Sequence, residues 1–212
     1  MSALAGQLSF DALLDAAAHD NVARERERQF GDLPGTLREA VPYYRGLIAR
    51  HHALMVGGFY DEAMAVRSEA HRLAQKLNGY EPGIIAGPDA PGCVLERVAR
   101  APKGMVPQWG QKGSFELNVG GMRVRVAIDG MFGIGACYSR WPGFRSFAVV
   151  QDEPFLSETG FRCFLGIHAD LPFGQTPESF VRAVIEAHVK RVLKGRLLSI
   201  KPRFRSNAAS AL

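Results

Sequence analysis

The chain has 212 residues, of which 47% are hydrophobic, 22% charged and 9% aromatic. This length suffices for one large domain or two small ones, and the composition is that of a soluble globular protein. Disordered, collagen-like and small disulfide-stapled classes are therefore excluded. The formal net charge of +5 raises the question of a nucleic-acid partner.

The positive charge is concentrated at the end of the chain. Residues 190–212 contain seven bases and no acid, so residues 1–189 carry a net charge of −2. The seven bases are Lys190, Arg191, Lys194, Arg196, Lys201, Arg203 and Arg205. Such bases can neutralise phosphates, and the neighbouring Phe204 can stack on a nucleic-acid base.

The cysteines and the N-terminal residues indicate the compartment. Cys93, Cys137 and Cys163 are odd in number and widely spaced, which indicates neither a disulfide framework nor a zinc ribbon. The first ten residues lack a basic, apolar leader, and no apolar run reaches the roughly eighteen residues of a membrane span. We predict a cytoplasmic protein with no membrane contact, no metal and no cofactor.

Residues 1–34 are predicted to form a helical arm. Ser9 is expected to cap a helix that runs to about Phe30, and the polar second half of this helix has no apolar stripe. A Gly/Pro-rich break follows at residues 31–35.

Residues 35–79 are predicted to form a helical hairpin. Thr36 and Glu39 have the spacing of a capping box at the start of its first helix. Pro42 lies one turn later and predicts either a later start or a kink. Asp61 is the expected cap of the second helix. The connecting residues 58–63, with the sequence GFYDEA, resemble the turn of a tetratricopeptide repeat, although only one repeat is present where a solenoid needs about three.

The second half of the chain predicts strands. Residues 80–113 are a Gly/Pro-rich junction with a short helix from Pro91 to about Arg100. Residues 114–200 predict an antiparallel sheet covered by a helix from Pro177 to Lys194, and residues 201–212 predict a basic, disordered tail. Helices followed by strands and a final helix are typical of the α+β class.

The clearest strand signal is a hairpin around Gly120-Gly121. Apolar residues alternate with polar ones on both sides of this turn. Arg123 and Arg125 are expected on the face opposite the apolar residues, beside Glu116 and Asn118. Further strands are predicted around residues 144–150 and 161–167, with a weaker one at 133–140 and an edge strand at 197–200.

Two kinds of binding partner fit these patterns. Nucleic acid is one candidate, contacted through the exposed hairpin and the basic C-terminus by Arg123, Arg125, Lys194, Arg196, Lys201, Arg203, Phe204 and Arg205. Arg140, Trp141, Phe144 and Arg145 lie nearby in sequence. Arg–Glu pairing across the strands is the alternative interpretation of the hairpin arginines. A protein partner of the helical hairpin and the sheet edge is the other candidate.

Catalytic patterns are weaker, so we predict a non-enzymatic binding or regulatory protein with no catalytic residue. The alternative is a hydrolase or nuclease that uses His/Asp or Arg/His residues of the helical hairpin. Arg45 and His51 have a spacing that resembles HEPN-type ribonucleases, in which such a pair acts on an RNA phosphodiester. Cys163 and His168 would point to opposite faces of one strand, which disfavours a nucleophilic pair.

Overall fold

The computed structural model describes residues 3–133, 142–165, 171 and 173–205. The described elements confirm the α+β class, with helices first, then an antiparallel sheet and a final long helix. The helices are α1 (Ala3–Phe30), α2 (Leu37–Val56), α3 (Tyr60–Leu77), α4 (Pro91–Val98) and α5 (Pro177–Arg191). The strands are β1 (Gly113–Val119), β2 (Met122–Ile128), β3 (Phe144–Ala148) and β4 (Phe161–Phe164). None of the helices in these ranges combines the length and apolarity needed to cross a membrane.

A side-chain cap accounts for the start of α2. The Thr36 hydroxyl accepts the Glu39 backbone N–H at 3.4 Å, which is one of the two bonds of the predicted capping box, and it donates to the Glu39 carboxylate at 2.9 Å. The predicted cap at Asp61 is wrong, because α3 begins one residue earlier and its N-cap, Phe59, makes no side-chain cap bond. Asp61 lies instead in the first turn, where a negative charge is favoured by the helix dipole.

Other helix boundaries differ from the sequence prediction by a few residues. Helix α1 begins at Ala3, so Ser9 lies inside it rather than at its cap. Pro42 also lies inside a helix, because α2 already begins at Leu37. Helix α4 ends at Val98 and α5 at Arg191, each slightly earlier than predicted.

The predicted hairpin is confirmed in its register. Strands β1 and β2 pair antiparallel with Leu117 opposite Val124, and both residues of the Gly120-Gly121 turn have positive φ angles. The sheet order is β1-β2-β3-β4, with every neighbouring pair antiparallel. Burial alternates along β1, β2 and β3, so one face of the sheet is covered by protein.

The covered face of the sheet forms the larger core. Phe115, Val126 and Phe144 from the sheet pack with Phe180 and Ile185 of α5. A second cluster lies among α1, α2, α3 and α4, and the half-buried Leu54 contacts both clusters. The helical hairpin is therefore packed on the sheet rather than projecting from it.

A fully buried tryptophan ties the junction to the helices. The Trp109 indole N–H donates to the Gln175 carbonyl at 2.9 Å, and its backbone N–H donates to Nδ1 of His52 at 3.1 Å. These two bonds link the segment before β1 to α2 and to the segment before α5.

The chain after α5 returns to the loop between β3 and β4. Leu198 exchanges two backbone hydrogen bonds with Phe155, of 2.8 and 2.9 Å. The edge strand predicted at 197–200 is thus reduced to a single bridge, since Leu198 pairs with a loop residue instead of a strand. Disorder was predicted for residues 201–212, but Pro202–Phe204 form a 3₁₀ helix. Residues 134–140 of the weaker predicted strand and residues 206–212 lie outside the described residues.

Candidate nucleic-acid interface

The face of the sheet turned away from α5, here called the outer face, carries the predicted hairpin arginines. Asn118 is paired with Arg123 and Glu116 with Arg125 across β1 and β2. Both arginines therefore lie beside Glu116 and Asn118, opposite the buried side chains, as their position in the alternating pattern predicts. The described helices that cover the sheet lie on its other face.

Strands β3 and β4 add an arginine and two phenylalanines to the outer face. Arg125 is paired with Phe147, which is paired in turn with Phe161, and Arg145 is paired with Cys163. The Phe147 and Phe161 ring centroids are 5.0 Å apart, and the Arg125 guanidinium lies 5.5 Å from the Phe147 ring centroid. We call Arg123, Arg125, Arg145, Phe147 and Phe161 the basic-aromatic row.

Two carboxylates accompany the basic-aromatic row. Arg123 forms an ion pair with Glu116 at 2.9 Å, and Arg145 forms one with Asp129. The cross-strand Arg–Glu pairing weighed from the sequence is therefore present at Arg123. An exposed ion pair contributes only about 0–1 kcal/mol, and the Arg123 side chain is 56% exposed. Its guanidinium can therefore exchange Glu116 for another anion at small cost.

Phe147 and Phe161 were not predicted as site residues from the sequence, although the alternation of buried and outward residues in β3 places Phe147 on the outer face. In the strand sequence FRSFA, Arg145 and Phe147 alternate with three buried residues, Phe144, Ser146 and Ala148. Once Phe144 is assigned to the core, the period of two places Phe147 outward. Phe144 itself is buried, so it is not part of the outer face. Arg140 and Trp141 lie outside the described residues.

Two of the predicted C-terminal bases form ion pairs with the loop between β3 and β4. Lys201 forms an ion pair with Glu158, and Arg205 forms one with Asp152 at 2.8 Å. The Arg203 guanidinium lies 4.7 Å from the Phe204 ring centroid. These residues follow Ile200, which is buried in the core beside the sheet.

The other two C-terminal candidates lie just after α5. Lys194 has a positive φ of 50° and, with Lys190, lines a groove of about 470 Å³ beside Val119 and Met122. Arg196 follows Gly195 in the same turn. The eight residues predicted to contact nucleic acid are therefore divided among three places: the outer face, the turn after α5 and the loop-bound end of the chain.

One backbone contact brings two of these places to the same end of the sheet. The Val149 N–H donates to the Arg123 carbonyl at 3.2 Å. Asp152, the partner of Arg205, follows three residues later in the same loop. The start of β2 and the C-terminal segment thus meet at this end, while Arg145 lies farther along the outer face.

The histidines of the helical hairpin serve the packing of the fold. His51 is fully buried, and burial lowers its pKa to about 4. His52 accepts the Trp109 N–H, and a ring nitrogen of His71 lies 3.2 Å from the Met131 carbonyl oxygen. Burial also lowers the pKa values of His52 and His71.

The structure does not assemble the alternative catalytic pairs. Arg45 is exposed and donates to the Val98 carbonyl at 3.2 Å, whereas His51 is buried. Within the described ranges, no three or more His, Cys, Asp or Glu side chains are grouped so that they could hold a metal ion. Cys137, His168 and Asp170 lie outside the described residues.

Part of the chain is similar to two curated proteins of Escherichia coli, both named Protein KlcB. One is 38% identical over 125 residues, which are 57% of this chain and 26% of that protein. The other is 34% identical over 138 residues, which are 64% of this chain and 32% of that protein. Each alignment thus spans no more than about a third of the relative, and the shared name states no activity or partner. No family model matches the chain, and no solved structure matches it.

Proposed function

We propose that this protein is a non-enzymatic binding protein that takes a single strand of nucleic acid on the outer face of its sheet. The observation that carries the proposal is the basic-aromatic row, in which Arg125, Phe147 and Phe161 lie side by side on three adjacent strands. Single strands are bound by this combination, because arginines neutralise phosphates while aromatic rings stack on unpaired bases.

The geometry of the sheet supports a strand that crosses it. Neighbouring β-strands lie about 4.8 Å apart, so Arg125 on β2 and Phe161 on β4 are separated by about 10 Å across the outer face. Phe161 is 40% exposed, which leaves part of its ring open to a base. A base stacked at this place would lie near the arginines that contact its backbone.

A titration of the full chain with a fluorescent 20-residue single strand, at two salt concentrations, tests the proposal. We expect binding that weakens steeply with salt, because phosphate neutralisation releases counterions. Arg125→Gln should reduce the slope of log K against log salt by about 0.7, the value per phosphate for a single strand. Phe161→Ala should weaken binding by about 1–3 kcal/mol, the cost of losing one stacked base.

The chain offers a matched control for each substitution. Arg38→Gln removes an exposed arginine from α2, and Phe59→Ala removes a phenylalanine that is 57% exposed at the α2–α3 turn. Neither residue belongs to the outer face. Absence of binding at low salt, or equal losses from these controls and from the outer-face variants, would contradict the proposal.

The C-terminal bases are better tested by point substitutions than by truncation. Removing the chain after Gly195 would also remove Ile200 from the core and break the Leu198–Phe155 hydrogen bonds. Arg203→Gln changes a base whose guanidinium lies over the ring of its neighbour Phe204. A loss of affinity in this variant would place Arg203 in the binding surface, and an unchanged affinity would exclude this residue from it.

A protein partner is the second candidate, favoured by two exposed phenylalanines at the α2–α3 turn. Phe173 is 82% exposed and packs near Gly58, and Phe59 is the neighbouring residue in sequence. Binding through this patch should resist salt, because apolar contacts are not screened. Retention of a partner at 0.5 M salt, with loss in Phe59→Ser and Phe173→Ser, would favour this candidate over nucleic acid.

A further inference from the structure

Two neighbouring pockets, lined by residues of α2, of the segment between α4 and β1, and of β1 itself, share one arginine. The first has a volume of about 270 Å³ and is lined by Arg45, Arg100, Gln108 and Gln111, among others. The second has a volume of about 360 Å³ and is lined by Arg100, Ala101, Lys103 and Ser114. None of the described residues that line either pocket is acidic.

The cations of these pockets differ in how they are held. Arg45 is oriented by its bond to the Val98 carbonyl. Among the described residues, neither Arg100 nor Lys103 forms an ion pair or a side-chain hydrogen bond. This distinguishes them from Arg123 and Arg145 on the outer face, which face carboxylates.

The C-terminal end of α4 points at the first pocket, and its carbonyl oxygens would repel an anion if they were free. Arg45 takes up the Val98 carbonyl, and the Gln111 amide donates to the Ala99 carbonyl at 3.0 Å. The Gln111 side-chain oxygen in turn accepts the Gln108 backbone N–H at 3.1 Å. The nearest oxygens therefore already have donors, which leaves positive charge to dominate the pockets.

The second pocket opens at the edge of the outer face. Ser114 has the same orientation in β1 as Glu116, and it is paired with Ala127, which is paired with Arg145. Ser114 and Arg145 are thus two strands apart, about 10 Å across the sheet. The second pocket thus borders the surface that carries the basic-aromatic row.

We propose that Arg45, Arg100 and Lys103 form a phosphate-binding site at the β1 edge of this surface. Guanidinium groups suit phosphate because their planar N–H donors match its oxygens. The phosphate belongs either to a nucleic-acid strand that continues from the outer face or to a free phosphorylated compound. Only the first source rests on the proposed function.

Two probes and one pair of variants test the site. Inorganic pyrophosphate is titrated calorimetrically, and the fluorescent 20-residue single strand is titrated as above, against the full chain. Arg100→Gln removes the shared cation, and Arg97→Gln removes an equal charge from α4 outside both pockets. Unchanged melting temperatures confirm that both variants fold.

We expect Arg100→Gln to weaken pyrophosphate binding at least five-fold and single-strand binding by roughly three- to ten-fold, with a salt slope lower by about 0.7. Arg97→Gln should bind both probes as the wild type does. Dependence of the strand alone on Arg100 also supports the site and assigns it a strand phosphate. Dependence of pyrophosphate alone supports it and assigns a free phosphorylated compound.

The site is overturned if neither probe depends on Arg100, or if Arg97→Gln causes the same losses. Its failure can be told apart from failure of the proposed function. Variants of Phe147 and Phe161 that bind the strand normally would refute stacking on the outer face, whatever Arg100 does. The expected loss of strand binding in those variants, with unchanged binding of both probes in Arg100→Gln, would refute the phosphate site alone.

Discussion

Because His51 is buried, we expect the folded protein to lose stability as the pH falls below neutrality. Burial is the main reason that its pKa lies at about 4 instead of 6.5, and the nearby positive charge of Arg67 lowers it further. Between these two pH values the unfolded chain binds a proton that the native state does not, so stability falls with decreasing pH. The contribution is fully present above pH 6.5 and is lost as the pH falls towards 4. Between pH 7.5 and pH 5 the protonation of His51 in the unfolded chain lowers the free energy of unfolding by about 2 kcal/mol. This value follows from about 1.36 kcal/mol for each pH unit below the unfolded pKa of 6.5.

Urea unfolding at pH 7.5 and pH 5 measures this loss. Other groups also titrate in this range, and burial lowers the pKa of His188 as well, so the informative quantity is the difference between wild type and His51→Leu. The variant should lose about 2 kcal/mol less than the wild type between the two pH values. His19→Gln, which changes an exposed histidine of α1, is the control. An equal pH dependence in wild type and His51→Leu would refute the reasoning.

Five further substitutions test the packing. Trp109→Ala should destabilise the fold by about 3–5 kcal/mol because the residue is fully buried, and thermal unfolding should show it as a melting temperature lower by roughly 6–20 °C. Glu96→Gln should cost about 1–3 kcal/mol in urea unfolding, because Glu96 is buried and pairs with Lys112 at 2.9 Å. The exposed Glu178→Gln should stay within about 1 kcal/mol. Gly46→Ala should stabilise α2 by about 0.5–1 kcal/mol, because nothing lies within 4 Å of the added Cβ. Gly130→Ala should destabilise the fold, because its Cβ would lie 2.5 Å from the Glu96 carboxylate. A cost for Gly46→Ala, or none for Gly130→Ala, would contradict these distances.

The sequence predicts those parts of the fold that depend on residues close together in the chain. The β1–β2 hairpin was predictable because its alternation and its Gly120-Gly121 turn lie within sixteen residues and specify one register. The same holds for the start of α5, where the Thr176 side chain accepts the Ser179 N–H at 3.3 Å. The boundaries of α1 and α3 were less predictable, because helix ends depend on neighbours as well as caps.

The candidate site could not be predicted from local patterns, because it is formed by residues far apart in the sequence. Arg125 and Phe147 are neighbours only because β2 pairs with β3 in one register, and that pairing crosses residues 129–143. Arg45 and Arg100 meet at one pocket because α2 and α4 pack together. The burial of His51 likewise needed the position of residues 109–110, which a helical periodicity alone does not give.

The C-terminal bases show why charge in the sequence is a poor guide to a binding surface. Lys201 and Arg205 are two of the bases that the sequence predicts to contact nucleic acid, yet each has a carboxylate partner in the loop between β3 and β4. Such exposed pairs stabilise by only about 0–1 kcal/mol each, so they neither fix the fold nor prevent a phosphate from replacing the carboxylate. They do reduce the local positive potential that attracts a strand from solution. Arg100 and Lys103 have no such partner among the described residues. A phosphate approaching the β1 edge of the outer face therefore meets less competition from carboxylates than one approaching the more basic end of the chain.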